Sequence, residues 1–260
     1  MMLVANSCLA ELLIAGAVFW AMIFTLQNDL KQSHYVDSFC IFRGYISYVT
    51  CFTQNYSYLL QAIYRYVTVV YPTRLYWQTK RVQLFLVIST WICGIVCTFP
   101  HLFNGEIIYL PDDQICQMPL HFNFISIYNL ILLYLLPMNG IILIYMKLVR
   151  YVKDMGTRII PVNTLIRAQR ELKMVHRIVI LVSVLVALGL PYAIFVFMGY
   201  FGSPPKYHFR IAYIFINVSL VLIMIIILKF TDPLKTSIIN RVKRRQRRLN
   251  TAVVPVTYPF

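Results

Sequence analysis

Few residues of this 260-residue chain have the types and spacing that catalysis or metal binding requires. Its five histidines and six cysteines do not cluster at metal-binding spacings, and no glycine-rich phosphate loop or nucleophile–base pair is present. Two charged side chains remain distinctive because they lie in long apolar runs, namely Glu11 and Arg65. Burying either charge in a membrane is expensive, so each needs a partner or a role. The sequence therefore predicts no enzyme.

The composition indicates whether these charges lie in a soluble protein or in a membrane protein. Hydrophobic residues make up 60% of the chain, charged residues only 13%, and the mean hydropathy is +0.69. A soluble domain of this size could not hide so much apolar surface, so we predict a polytopic membrane protein. Six apolar stretches are each long enough to cross a bilayer as a helix: about 3–26, 41–71, 84–103, 122–149, 174–201 and 209–231.

The distribution of basic residues predicts the orientation. Lys and Arg number 24 against 9 acids, and they gather at 74–81, 147–177 and 235–248. The positive-inside rule places these three clusters, and with six spans both termini, in the cytosol. The net charge of +15 is then explained by the anionic inner leaflet, and we predict a lipid bilayer rather than nucleic acid as partner.

The segment from Cys40 to Pro72 organises the chain. Counted as a helix, Cys40 to Arg65 spans about 37 Å at 1.5 Å per residue, against a hydrocarbon core of about 30 Å. The triplet Tyr64-Arg65-Tyr66, followed by Val70-Tyr71-Pro72, resembles the Asp-Arg-Tyr region of rhodopsin-like (class A) G-protein-coupled receptors. Further positions match that family in register: Cys40, Trp91, Cys116, Pro137, Tyr145, Glu171, Pro191 and Pro233.

The resemblance implies an all-α fold, a polytopic membrane helical bundle. Residues 3–13 are similar to the family's second helix, so we expect six of the seven receptor helices and a missing first one. The basic segment 237–249 is expected to form the short amphipathic C-terminal helix. A receptor domain would then cover residues 1–249, followed by a short tail at 250–260.

The resemblance also implies which residues couple to a G protein and take part in activation. They are Arg65, Tyr64, Tyr66, Pro72, Tyr145, Glu171, Pro191, Asp232 and Pro233. Arg65 alone could be an anchor that snorkels to the inner membrane face. In the family's register it instead forms the lock with Glu171, and Tyr64 replaces the aspartate that normally helps to hold this arginine.

The family further implies a buried ion site and a disulfide. Glu11 takes the place of an aspartate that binds sodium, and we expect it to face Asp232 with Gln54 nearby. The alternative is a protonated glutamic acid that is hydrogen-bonded within the bundle. A disulfide is implied between Cys40 and Cys116, and the runs on either side of Pro111-Asp112-Asp113 suggest a β-hairpin.

The function implied is transmission of an extracellular signal to a cytosolic heterotrimeric G protein. A neuropeptide is the first choice of ligand, and a lipid or odorant is the alternative. Position suggests four pocket residues, Ser47, Tyr48, Asn129 and Tyr192. The full-length protein is expected at the plasma membrane. Two other hypotheses are a six-helix transporter or channel and a non-signalling receptor fragment.

Overall fold

The computed structural model of the chain describes residues 2–31, 38–72, 76, 79–157, 162–202 and 204–230. Within them the chain forms helices and one small hairpin. In chain order these are α1 (Met2–Lys31), α2 (Cys40–Val70), α3 (Lys80–Phe103), β1 (Ile108–Leu110), β2 (Ile115–Gln117), α4 (Phe124–Leu130), a π-helical turn (Ile131–Leu135), α5 (Leu136–Thr157), α6 (Val162–Phe201) and α7 (His208–Phe230). Each of the six predicted spans corresponds to one continuous helical segment.

Five of these segments are long and apolar enough to cross a membrane: α1, α3, the run from Phe124 to Met155, α6 and α7. The sixth predicted span, α2, is 31 residues long but is less apolar. Its polarity has a structural reason, because α2 packs against α1, α3, α5 and α6 and its polar side chains face inward. Thr53, Gln54, Asn55 and Ser57 are all buried there.

The helices extend beyond the apolar stretches at the ends that carry the basic clusters. α6 is 40 residues long, about 60 Å, which is roughly twice the thickness of a hydrocarbon core. Lys, Arg, Glu and Gln have high helix propensity, so a helix can continue past the point where hydropathy falls. We call the end of the bundle with Arg65 and Glu171 the cytosolic end, and the opposite end the extracellular end, following the charge-based prediction.

A proline shapes the fifth span. Pro137 has no backbone N–H, so it cannot donate to the carbonyl of Leu133 four residues earlier. A π-helical turn at Ile131–Leu135 precedes this proline. The Leu133 carbonyl instead accepts a hydrogen bond of 2.9 Å from the side-chain amide of Asn55 on α2. This bond satisfies the freed carbonyl inside the bundle.

The predicted hairpin and disulfide are both present at the extracellular end. β1 and β2 pair antiparallel, with Tyr109 opposite Cys116, and Cys116 is bonded to Cys40 at the start of α2. β2 lies against α2 at Gly44, where an added Cβ would sit 2.6 Å from the Cys116 carbonyl oxygen. A glycine at this position therefore allows the hairpin to rest directly on the helix backbone.

Candidate functional site

Arg65 and Glu171 form an ion pair at the cytosolic end. Arg65 lies in the last two turns of α2 and Glu171 in the third turn of α6, and the Arg65 Nη1 to Glu171 Oε2 distance is 3.0 Å. The two side chains are 19% and 11% exposed, so the pair is partly shielded from water. The contact expected from the resemblance is present, and it joins the central helix to α6.

Tyr64, which replaces the family's aspartate, contacts both Gln83 and Arg65. Its hydroxyl accepts a hydrogen bond of 3.1 Å from the Gln83 side-chain amide on α3. The centroid of its ring lies 5.8 Å from the guanidinium carbon of Arg65, at the outer limit for a cation–π contact. Tyr64 therefore ties α2 to α3, and Glu171 remains the carboxylate that pairs with Arg65 among the described residues.

Of the other predicted activation residues, Tyr145 and Tyr66 lie on helices near this pair. The Tyr145 hydroxyl on α5 is 3.2 Å from Nδ1 of His176 on α6. Tyr66 packs against an apolar cluster that includes Val69 of α2 and Leu148 of α5. Pro72 is exposed just after the end of α2, and Pro191 lies inside α6. Asp232 and Pro233 lie outside the described residues, as do the expected amphipathic helix at 237–249 and the tail at 250–260.

Glu11 is completely buried at the centre of the bundle. Its Oε2 atom accepts hydrogen bonds from the Gln54 side-chain amide and, at 2.9 Å, from the Tyr58 hydroxyl. Its Oε1 atom is buried and makes no hydrogen bond to any described residue. The expected proximity of Gln54 is confirmed, whereas Asp232, the second expected carboxylate, falls outside the described part of the chain.

The sequence of the chain matches the family described as 7 transmembrane receptor (rhodopsin family) over residues 2–233. That match covers most of the chain and includes α1 through α7. This chain belongs to the rhodopsin family of seven-transmembrane receptors. The resemblance seen in the motifs is confirmed, and the protein is a multi-pass membrane receptor of a family that is not enzymatic. No curated protein matches the chain.

Near Glu11, the receptor contains a polar network that sequence reasoning missed. The Trp91 indole N–H donates to the Asn6 side-chain oxygen at 2.9 Å, and the Asn6 amide donates to the Ser57 hydroxyl at 2.8 Å. These contacts join α3, α1 and α2. The polar residues Asn6 and Ser57 within apolar spans are the sequence signal for this network, and Trp91 had been predicted only to match the family's register.

The four proposed pocket residues of the receptor make different contacts. The Tyr48 hydroxyl accepts a hydrogen bond of 3.3 Å from the Met118 backbone N–H, just after β2. Tyr48 also contacts the ring of His101, whose Nε2 is 3.0 Å from the Asn129 side-chain oxygen. Ser47 instead donates to the backbone carbonyl of Arg43, one turn earlier in α2.

Tyr192 of α6 lies close enough to Tyr48 for the two phenol groups to interact electrostatically. It packs beneath the hairpin in an apolar cluster with Ile115, Leu120 and Phe209. Of the four predicted residues, the structure therefore connects Tyr48 with Asn129 through His101 and places Tyr192 near Tyr48, whereas the Ser47 hydroxyl bonds within α2.

A cluster of charges links the hairpin of the receptor to two helix ends. Arg210 of α7 donates to both carboxylate oxygens of Asp29 on α1, at 2.8 and 3.0 Å. The Arg210 backbone N–H donates to Oδ1 of Asp113, and His208 Nδ1 lies 3.6 Å from Oδ2. Burial raises the pKa of Asp113, and the nearby charge of His208 partly opposes that shift. The cluster stabilises the hairpin against α1 and α7.

Proposed function

We propose that this receptor transmits an extracellular signal to a heterotrimeric G protein at the cytosolic face of the plasma membrane. The observation that carries the proposal is the ion pair between Arg65 and Glu171. It joins α2 to α6 at the end of the bundle where the basic clusters lie. Separating these helices would break the pair and open a cavity between them, which is the kind of two-state change that a ligand can bias.

A peptide is the ligand that we propose. The support is the β-hairpin, because the loop that contains Cys116 often takes this form in peptide receptors of the family. The hairpin rests on Gly44 and covers the extracellular end of α2, so a ligand must contact or displace it. A flexible peptide can meet that surface with backbone hydrogen bonds as well as side chains.

Glu11 supports a proposal for the ion site. A buried carboxylate oxygen without a hydrogen-bond donor needs a cation or a proton. Among the described residues Glu11 Oε1 is such an atom, so it fits a sodium ion, with Asp232 as the other proposed ligand. A bound cation would neutralise the carboxylate and stabilise the packing of α1 against α2. A protonated Glu11 would achieve the same without an ion.

The experiment that tests the proposed function uses the purified full-length protein in lipid nanodiscs with heterotrimeric G proteins. Nucleotide exchange on the G protein is measured for the parent and for Arg65→Ala. We expect exchange above the receptor-free rate in the parent, and none above it for the variant. Arg81→Ala, which removes an exposed arginine of the same cytosolic end, is the control and should keep the parent's rate. No exchange by the parent with any G-protein class would contradict the proposal.

A further inference from the structure

A side-chain amide faces the lipid within the fifth span. Asn139 of α5 is exposed, whereas Met138 and Ile141, which point toward the other helices, are buried. Asn139 precedes Lys147, the first charged residue of α5, by eight residues, which is about 12 Å along a helix. The hydrocarbon layer is about 15 Å thick on each side of the bilayer midplane. The amide therefore lies well inside the hydrocarbon.

The amide is at the centre of an otherwise apolar surface, which we call the α5 stripe. The exposed apolar side chains of the stripe are Leu135, Leu136, Ile142, Leu143 and Met146. At 3.6 residues per turn, these side chains and Asn139 fall within an arc of about 120°, with Asn139 near its middle. α2 and α6 pack on the opposite side of α5, where Met138, Ile141 and Leu148 are buried. The α5 stripe thus faces away from the rest of the bundle.

Asn139 has more hydrogen-bonding capacity than its own helix can use. Its Nδ2 donates to the Leu135 carbonyl at 2.7 Å. A side-chain amide has two N–H donors and one carbonyl acceptor, so this bond uses one donor and leaves the acceptor. Backbone N–H groups inside a helix already donate to carbonyls four residues earlier, and hydrocarbon offers no donor. A second helix that packs on the α5 stripe can supply one.

Ser183 of α6 is a polar side chain that its own helix does accommodate. It is exposed like Asn139, and its hydroxyl donates to the Val179 carbonyl at 2.9 Å. A hydroxyl has a single donor, so one bond to the helix backbone uses it completely. The comparison shows that exposure of a polar group in a span does not by itself require a partner. The additional donor and the acceptor of the amide distinguish Asn139.

We propose that the α5 stripe packs against the α5 stripe of a second copy of this receptor, with the two Asn139 amides hydrogen-bonded to each other. All copies have the same orientation in a membrane, so the two-fold axis of a symmetric dimer runs along the membrane normal. Equivalent residues then lie at equal depth, and Asn139 meets Asn139. An amide both donates and accepts, so two copies satisfy each other. An unrelated helix would need a polar residue at the same depth.

The charges at the cytosolic end limit the extent of this contact. Arg150 is exposed and falls on the same arc of α5, about three turns beyond Asn139. Two arginines that face each other across the axis would repel, so the helices must diverge toward the cytosol. Packed helices cross at about 20° or about 50°, and a crossing point near Asn139 separates the two Arg150 side chains. The proposed contact is therefore centred on Asn139.

The test measures association of the purified receptor in lipid vesicles. Copies that carry a donor or an acceptor fluorophore are mixed, and energy transfer is followed as the lipid-to-protein ratio increases. Asn139→Leu should weaken the dimer roughly fivefold, which is the scale of an interhelical hydrogen bond in a membrane. Asn139→Gln keeps the amide and should retain most of the association. A parent that is monomeric at every ratio, or equal transfer in the parent and Asn139→Leu, would overturn the proposal.

Two controls separate association from folding. Ser183→Ala removes an exposed polar group from the neighbouring helix and should keep the energy transfer of the parent. Asn139→Leu should also keep the unfolding temperature of the parent in dilute detergent micelles, because the side chain faces outward. If it lowers that temperature, the cross-linking below decides the question. None of these readouts contains a ligand or a G protein, so their outcome does not depend on the proposed function.

Cross-linking locates the interface. In a Cys93→Ala background, which lacks the exposed native thiol, Leu135→Cys and Ile142→Cys each place a thiol on the α5 stripe within about one turn of Asn139. Copper-catalysed oxidation by dioxygen removes two electrons and two protons from a pair of thiols to form a disulfide between copies. Both variants should give linked dimers, whereas Val186→Cys, on the exposed side of α6, should not. Linkage through residue 186 and through neither stripe position would overturn the proposal.

Discussion

Arg65 and Glu171 are separated by 106 residues in the chain, and their side chains meet at 3.0 Å between α2 and α6. Among the described residues, Glu171 is the carboxylate that pairs with Arg65. The position before Arg65 is Tyr64, whose hydroxyl accepts a hydrogen bond from Gln83 of α3. A charge-assisted hydrogen bond contributes about 1.5–3 kcal/mol, and a neutral one about 1 kcal/mol. A resting state held by one carboxylate is therefore less stable than one held by two.

The first prediction is high basal activity. Glu171→Ala should raise basal nucleotide exchange on the G protein further, because the only carboxylate seen at Arg65 among the described residues is then gone. Tyr64→Asp should lower basal exchange by roughly tenfold, since a second carboxylate beside Arg65 would stabilise the resting state. Tyr64→Phe is the matched control and should not lower it. Equal basal exchange in the parent and Glu171→Ala would show that another contact restrains the receptor.

The second prediction concerns Asn55 and Pro137. Asn55→Ala leaves the Leu133 carbonyl without its side-chain donor, and an unsatisfied buried carbonyl costs about 1–3 kcal/mol of stability. Pro137→Ala restores a backbone N–H that can bond to the same carbonyl. Adding Pro137→Ala should therefore reduce the cost of Asn55→Ala.

A double-mutant cycle on the unfolding of the purified receptor measures this coupling. Asn139→Ala serves as the control. The exposed Asn139 side chain donates to the Leu135 carbonyl. When that side chain is removed, the backbone N–H of residue 139 can still donate to the same carbonyl, four residues earlier in the helix. It should destabilise the receptor less than Asn55→Ala. Strict additivity of the two changes in the cycle would mean that Asn55 does not compensate for the proline.

The third prediction compares two glycines. Gly44→Ala would place a Cβ 2.6 Å from the Cys116 carbonyl oxygen and 2.8 Å from Ile107 Cγ2, so the hairpin must move. Such overpacking costs about 1–3 kcal/mol. Gly16→Ala has nothing within 4 Å of the added Cβ and should gain about 0.5–1 kcal/mol from helix propensity. Unfolding temperatures that change in the same direction for both variants would contradict this account.

The fourth prediction is a pH dependence at the extracellular end. Burial raises the pKa of Asp113 above its ordinary value of 3.8, although the charges of His208 and Arg210 and backbone hydrogen bonds oppose the shift. The folded protein therefore holds this proton more tightly than the unfolded chain does. That contribution to stability is fully present below about pH 4 and is lost as the pH rises through the raised pKa.

Unfolding temperatures measured across this pH window check the sign. Asp113→Asn should remove the decrease with rising pH that Asp113 causes. The neighbouring Asp112 is exposed, so Asp112→Asn should leave the profile of the parent unchanged. A profile in Asp113→Asn that is identical to that of the parent would show that the carboxyl at 113 does not contribute.

Much of this protein could be predicted from the sequence because the responsible forces are local. Hydropathy over about 20 residues locates a helix that must satisfy its own backbone in lipid, and the basic clusters orient it. The family resemblance added the Cys40–Cys116 disulfide and the contact of Arg65 with Glu171, and the structure has both. These features depend on distance along the chain or on a family resemblance.

The remaining contacts depend on how the helices are rotated and shifted against one another. The ion pair of Asp29 with Arg210 joins residues 181 apart, and the cation–π contacts of Arg43 require two rings from α1 to face one turn of α2. Apolar residues cover both the lipid-facing and the inward-facing sides of these helices, so their periodicity does not reveal the rotation. Packing of α1 and α7 beside the hairpin decided those pairs, because only in the folded bundle are these groups close enough to interact.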